Sequence, residues 1–123
     1  FGAELRLLGY DIAQSSDVLT LTLWWQAQAA PTRDYKRFVH LLAPSGELIA
    51  QDDAMPRAWT YPTSWWVAGE VVSETVTLPA PPAGYRLGVG WYDGETGITL
   101  PATDATGAPW PDNRVILSAP EER

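Results

Sequence analysis

His40 is the only histidine in the chain, and it is the first residue to weigh for chemistry. An imidazole titrates near neutrality and serves as a general base when an acid orients it and a nucleophile or water lies in reach. Asp52 and Asp53 stand where a hairpin folds back against His40, so either could supply the acid. The remaining parts of a hydrolytic site are not visible. No serine occupies a Gly-x-Ser-x-Gly elbow, and no second histidine could help hold zinc. The competing reading is structural: His40 hydrogen-bonds Asp52, Asp53 or the backbone, because buried polar groups are seldom left unpaired.

Carboxylates offer a second chemistry. A glycosidase needs two of them facing each other across a sugar, about 5–9 Å apart. Asp52, Asp53, Glu70, Glu74, Asp93 and Glu95 are available, but spacing alone sets no pair across a groove. Calcium needs oxygen ligands, and Asp93 with Glu95, or Asp104 with Asp112, could provide some of them. No Asp-x-Asp-x-Asp-Gly loop is present.

Aromatic residues carry the stronger binding expectation. An exposed indole or phenol ring stacks on the C–H face of a sugar, and neighbouring polar groups bond its hydroxyls. Trp59, Tyr61, Trp65 and Trp24, with Arg57, Asp52 and Asp53 nearby, could form such a platform. Trp25, Trp66 and Trp91 read instead as core.

The elements that must position these residues are short and extended. Glu4 to Ala13 is apolar on both faces. Val18 to Gln28 alternates, with Leu19, Leu21, Leu23 and Trp25 on one side and Thr20, Thr22, Trp24 and Gln26 on the other. Tyr35 to Ala43 divides Phe38, His40 and Leu42 from Arg37, Val39 and Leu41. Pro44-Ser-Gly46 then turns the chain into a strand over Glu47 to Asp53. Glu70 to Pro79 alternates with Val72, Val76 and Leu78 inward, and it carries Glu74 on that same face. A carboxylate there needs a partner, for which Arg86 or Arg114 is suitable. Tyr85, Leu87, Val89 and Trp91 share one face of the next strand, while Gly88 and Gly90 on the other leave room for a large neighbour. A short strand over Ile98 to Leu100 and a last one over Arg114 to Ala119 complete the set, with Pro120 to Arg123 a frayed end.

Between the fourth and fifth strands lies Asp52 to Glu70, an aperiodic segment with two prolines and Trp59, Trp65 and Trp66. Irregular segments this long in a small domain are generally functional or disordered, and this one is too aromatic for disorder. It is expected to cross between two sheets, with Trp66 buried as its anchor and Trp65 exposed.

Composition agrees with one domain over residues 1–119. The chain has 123 residues, 46% hydrophobic and 19% charged, enough to bury roughly two thirds of its unfolded surface. It has eleven prolines and ten glycines, set mainly between strands, and no segment with a helical period. The fold class is therefore all-β: an antiparallel sandwich of seven or eight strands with Greek-key connections, immunoglobulin-like or jelly-roll-like. The net charge of −7 argues against nucleic acid and anionic lipid. No apolar run approaches the roughly 20 residues that span a bilayer. Cysteine is absent, so disulfides and thiolate chemistry are excluded, and no cofactor is indicated. The opening Phe1-Gly2 lacks an initiator methionine and reads as part of a longer protein.

Several motifs occur in a telling order: Phe38-Val-His-Leu-Leu42, Gln51-Asp-Asp-Ala-Met-Pro56, Tyr61-Pro-Thr63, Trp66-Val-Ala-Gly-Glu-Val71 and Pro82-Ala-Gly-Tyr-Arg-Leu-Gly-Val-Gly-Trp-Tyr-Asp93. Together they resemble the soluble C-terminal domain of bacterial, Chloroflexi-like multi-pass membrane glycosyltransferases of the dolichyl-phosphate-mannose-transferase-like type, over roughly Leu8 to Leu117. Glu74 departs from the aspartate expected there, and Thr99 from the arginine that often precedes Leu-Pro. The resemblance implies a noncatalytic accessory domain on the extracytoplasmic face of a bacterial membrane, its partners a carbohydrate or the parent's membrane domain. In that family the catalytic carboxylates belong to the membrane portion. The alternatives are a small hydrolase using His40 with Asp52 or Asp53, and a purely structural interaction domain.

Overall fold

The computed structural model describes residues 1–56 and 60–118. Its strands are β1 (Leu5–Gln14), β2 (Val18–Ala27), β3 (Tyr35–Leu42), β4 (Leu48–Ala54), β5 (Val71–Pro79), β6 (Arg86–Asp93) and β7 (Val115–Ser118). They form two antiparallel sheets, one ordered β1-β2-β5 and the other β4-β3-β6-β7. The chain is a β-sandwich, with its core between the sheets.

Alternation in sequence becomes alternation in burial. In β2, Leu19, Leu21, Leu23, Trp25 and Ala27 are fully buried, and β5 faces the core with Val72, Val76 and Leu78. Burying each aliphatic side chain of this size contributes about 1.5–3 kcal/mol. On the opposite face the threonines pair across the strands, Thr20 with Thr77 and Thr22 with Thr75. Trp25 packs edge-on against Trp91 of β6 at 4.9 Å, and Trp66 meets Trp91 at 6.0 Å, so three indoles weld the sheets together.

Glu74 is the one charged residue on the inner face of β5, and the partner expected for it is wrong. Neither Arg86 nor Arg114 reaches it. Arg37 of β3 does, donating from Nε to Glu74 Oε1 at 2.8 Å, while Trp25 Nε1 donates to Oε2 at 2.8 Å. Arg37 also donates from Nη1 to the Asp52 carboxylate at 2.7 Å and to the Asp52 carbonyl at 2.8 Å. β3 is buried on both faces, which is why its inward side could not be told from sequence. Tyr35, Arg37, Val39 and Leu41 turn inward, yet Phe38 and Leu42 are buried too.

The segment between β4 and β5 does cross from the four-stranded to the three-stranded sheet. It is tied down midway by a 3-10 turn over Thr63–Trp65. There the buried Thr63 hydroxyl donates to the Arg33 carbonyl at 2.6 Å and accepts from the Tyr35 amide at 2.9 Å. Trp66 is 2% exposed and Trp65 is 64% exposed. The adjacent indoles point opposite ways, as the motif suggests.

Ile98 to Leu100 is not a strand. The chain returns along β6 for a single bridge, Thr99 with Tyr92, and Pro101, which has no N–H, ends the pairing. The edge of β6 is taken at its other half by β7, from Arg86 opposite Ser118 to Val89 opposite Val115. Ala119 and the end expected to fray, 120–123, lie outside the described residues.

Candidate functional site

Two places bring chemically capable side chains to the surface. The first is a cleft on the outer face of the four-stranded sheet, and glycine builds it. The antiparallel register sets His40 opposite Gly88 and Phe38 opposite Gly90. A Cβ on Gly88 would lie 2.3 Å from Arg114 Cδ, and one on Gly90 would lie 2.3 Å from Phe38 Cζ. The bare backbone of β6 is thus the trough in which the Arg114 stem and the Phe38 ring lie. Along it Arg114 reaches from the start of β7 to His40, with Nη1 3.1 Å from Nδ1.

That contact fixes the state of the imidazole. A guanidinium only donates, so Nδ1 is the acceptor, and a neutral ring then carries its proton on Nε2. Burial lowers the His40 pKa below its ordinary value, and the Arg114 charge lowers it further, with Asp53 opposing. The histidine is therefore neutral at physiological pH.

Aromatic rings wall the cleft. Phe38 lies 4.7 Å from the His40 ring and stacks with Tyr92 at 6.5 Å. The Tyr92 hydroxyl donates to Asp53 Oδ2 at 3.3 Å. Burial, with the nearby Asp53, raises the Tyr92 pKa and keeps it a donor. Gly97, Thr99 and Asp112 close the other side, giving a cleft of about 330 Å³. Asp112 and Asn113 both have left-handed backbones, with φ of 57° and 51°. Aspartate and asparagine visit this region more readily than other non-glycine residues, because their short polar side chains can hydrogen-bond locally. Asp112 is 4.0 Å from Arg114 Nη2, a long pairing that leaves hydrogen-bonding capacity on both.

The second place is the outer end of the sheet crossing. Tyr61 and Trp65 meet edge-to-face at 6.3 Å, and Tyr61 continues inward to Trp66 at 6.1 Å. The Tyr61 hydroxyl donates to Glu70 Oε2 at 2.5 Å, and the other Glu70 oxygen accepts from the Val67 amide at 3.0 Å. Trp65 is thus an exposed ring on a fixed base.

The residues singled out from sequence divide between these places and others. Tyr61 and Trp65 come together at the crossing. Arg57 and Trp59 lie outside the described residues. Trp24 lies apart, on the outer face of the three-stranded sheet between Gly9 and Ser73, 36% exposed. Asp53 and His40 line the same cleft, but no hydrogen bond joins them. The expected bond from His40 to Asp52 or Asp53 is replaced by the one to Arg114. Asp52 turns to Arg37, and Glu74 is sealed between the sheets.

Two of the other candidate carboxylates, Asp93 and Asp104, are committed locally. Asp93 accepts from the Glu95 amide at 2.8 Å and from Arg33 at 2.9 Å, and these lower its pKa. Asp104 accepts from the Thr106 hydroxyl and from the Thr106 and Ala108 amides within its own turn. Among the described residues no cluster of three histidines and carboxylates could hold a metal ion. Tyr92 and Arg37 are the site and core residues assigned no role from sequence, and Arg114, expected as a partner for Glu74, meets His40 instead. Only the glycine pair of β6 signalled that a large side chain crosses there.

No family model matches the chain, and no curated protein does either. Among solved structures it is similar to a Bordetella pertussis protein provisionally designated ApaA. The two share 12% identity with a TM-score of 0.57, and 98% of each chain is covered. It is also similar to part of β-glucosidase 3B from Thermotoga neapolitana, solved with glucose and with glycerol, at 14% identity and a TM-score of 0.47. There, 98% of this chain spans 16% of the enzyme. At such identities the first likeness shows the sandwich fold alone, and the second carries no argument. No helix among the described residues is long and apolar enough to cross a membrane.

Proposed function

We propose that this chain is a noncatalytic accessory domain of a membrane-linked glycosyltransferase-like protein, on the extracytoplasmic side of a bacterial membrane, and that it binds glycan at the Tyr61–Trp65 corner. The observation that carries the binding is the 64% exposure of Trp65. Its neighbour Trp66 is sealed, and Tyr61 props it from the side. An exposed ring on an anchored turn is the apolar wall on which a sugar's C–H face stacks, and the Glu70 carboxylate bonded to Tyr61 sets a polar group beside it. The link to a membrane enzyme rests on the motifs of the crossing and of β6. We read the strand order as immunoglobulin-like, with β4 on the β3 edge.

A hydrolase is less well supported by the geometry. The Nδ1 of His40 meets Arg114, a cation, where a catalytic base needs an orienting acid.

Tryptophan fluorescence tests the binding. Titration with cellohexaose, mannohexaose and maltohexaose should give a saturable change with at least one of them, and Trp65→Ala should abolish it. A flat response to all three, or an unchanged response in Trp65→Ala, counts against the reading. The complete reading frame tests the membrane link. Transmembrane segments on its N-terminal side are expected, and a frame without them overturns that part.

A further inference from the structure

We infer that the cleft on the outer face of the four-stranded sheet is a separate binding site, for a single neutral polyhydroxylated ring such as a hexopyranose. Three properties of the cleft point to that class. Its volume of about 330 Å³ is at the small end of ligand pockets, which run from about 300 to 1,000 Å³, so it suits one ring and not an extended chain. Its walls join stacked aromatic rings, Phe38 and Tyr92, to planar hydrogen-bonding groups, His40, Asp53 and Arg114. A sugar ring presents the complementary surface, an apolar C–H face bounded by hydroxyls that donate and accept together.

Charge makes the third property. Among the described residues of the lining Arg114 is the single cation, and Asp53 and Asp112 oppose it, while His40 is neutral. Two carboxylates against one guanidinium, in a chain of net charge −7, disfavour phosphate or carboxylate ligands. They favour hydroxyls, which donate to Asp53 and Asp112 and accept from Arg114 and His40 Nε2. The His40–Arg114 contact holds the imidazole in the tautomer that presents Nε2–H as a donor. The donors and acceptors are thus set before a ligand arrives, which limits the ordering cost of binding.

This site stands independently of the Tyr61–Trp65 corner and is tested separately. His40, the sole histidine, gives one set of imidazole resonances in a ¹H–¹⁵N NMR spectrum. Titration with glucose, mannose and galactose should shift that set, together with the Gly88 and Gly90 amides. The shifts should saturate in the millimolar range with at least one hexose. They should persist in Trp65→Ala and weaken tenfold or more in Asp53→Asn, which preserves shape and removes a charge-assisted acceptor. The inference is overturned if no hexose moves the His40 resonances, if inorganic phosphate moves them at lower concentration than any hexose, or if the shifts survive unchanged in both Asp53→Asn and Thr99→Val.

Discussion

Arg37 and Glu74 bridge the two sheets through a 2.8 Å ion pair whose side chains are 4% and 1% exposed. Trp25 and Asp52 complete its hydrogen bonds. Breaking a buried pair from one side strands the other charge, at a cost of about 3–5 kcal/mol. Glu74→Leu or Arg37→Met is expected to destabilise the domain by that amount in urea unfolding. The double replacement should cost less than either single change, because neither buried charge is left alone and Asp52, its side chain 39% exposed, is solvated without Arg37. Single variants within about 1 kcal/mol of wild type would show that the pair is not the latch described.

Trp65 and Trp66 should separate stability from binding. Trp66→Ala empties a core position and is expected to cost about 3–5 kcal/mol. Trp65→Ala removes an exposed ring and should stay within about 0.5 kcal/mol. Thermal or denaturant melts of the two variants check this, and comparable losses would mean that Trp65 is also structural.

Gly88 and Gly90 should respond differently to alanine. At Gly90 the new Cβ meets the Phe38 ring and also the Asn113 carbonyl at 2.9 Å. That overpacking is expected to cost about 1–3 kcal/mol. At Gly88 the three nearest atoms all belong to the Arg114 side chain, which can swing outward. Gly88→Ala should therefore fold with a smaller penalty and lose the His40 contact. With the guanidinium displaced, the His40 titration should move up toward its ordinary value, read by NMR. An unmoved titration would mean that Arg114 does not set the charge state of His40.

The depressed His40 pKa has a defined effect on stability. Between the folded value and the unfolded value near 6.5, the unfolded chain binds more protons, so stability rises with pH across that interval. The contribution is fully present above pH 6.5 and is lost as pH falls through the window beneath it. His40→Gln should flatten the stability profile there. The carboxylates held low, Glu4, Asp93 and Asp104, act only at more acidic pH. An identical profile in His40→Gln would refute the burial and Arg114 effects assigned to the ring.

Much of this was legible in the chain because period-two alternation reports a face directly. The phase of β2 and β5 told which indole of Trp24 and Trp25 is buried, and it exposed Glu74 as an inward charge. Gly88 and Gly90 announced the trough, since a strand gives up side chains only where something else needs the space. The identities of the partners were not legible. Both faces of β3 are buried, so alternation could not say that Arg37 points in and His40 out. The contact between His40 and Arg114 depends on β7 closing the sheet beside β6, a tertiary fact that no local pattern encodes. The residues 57 and 59, placed on the platform by sequence, lie outside the described residues.

The crossing also governs the order in which the domain can fold. β1 with β2 and β3 with β4 are hairpins, closed by short turns and able to form early. β2 with β5 and β3 with β6 pair across the crossing, so completing either sheet waits for a long loop to close. Nonlocal pairings of this kind place a sandwich among the slower two-state folders, in the range of milliseconds to seconds. Each sheet holds strands from both sides of the crossing, so neither half of the chain contains a finished sheet. A cut within it leaves two fragments that must find each other before either has a core.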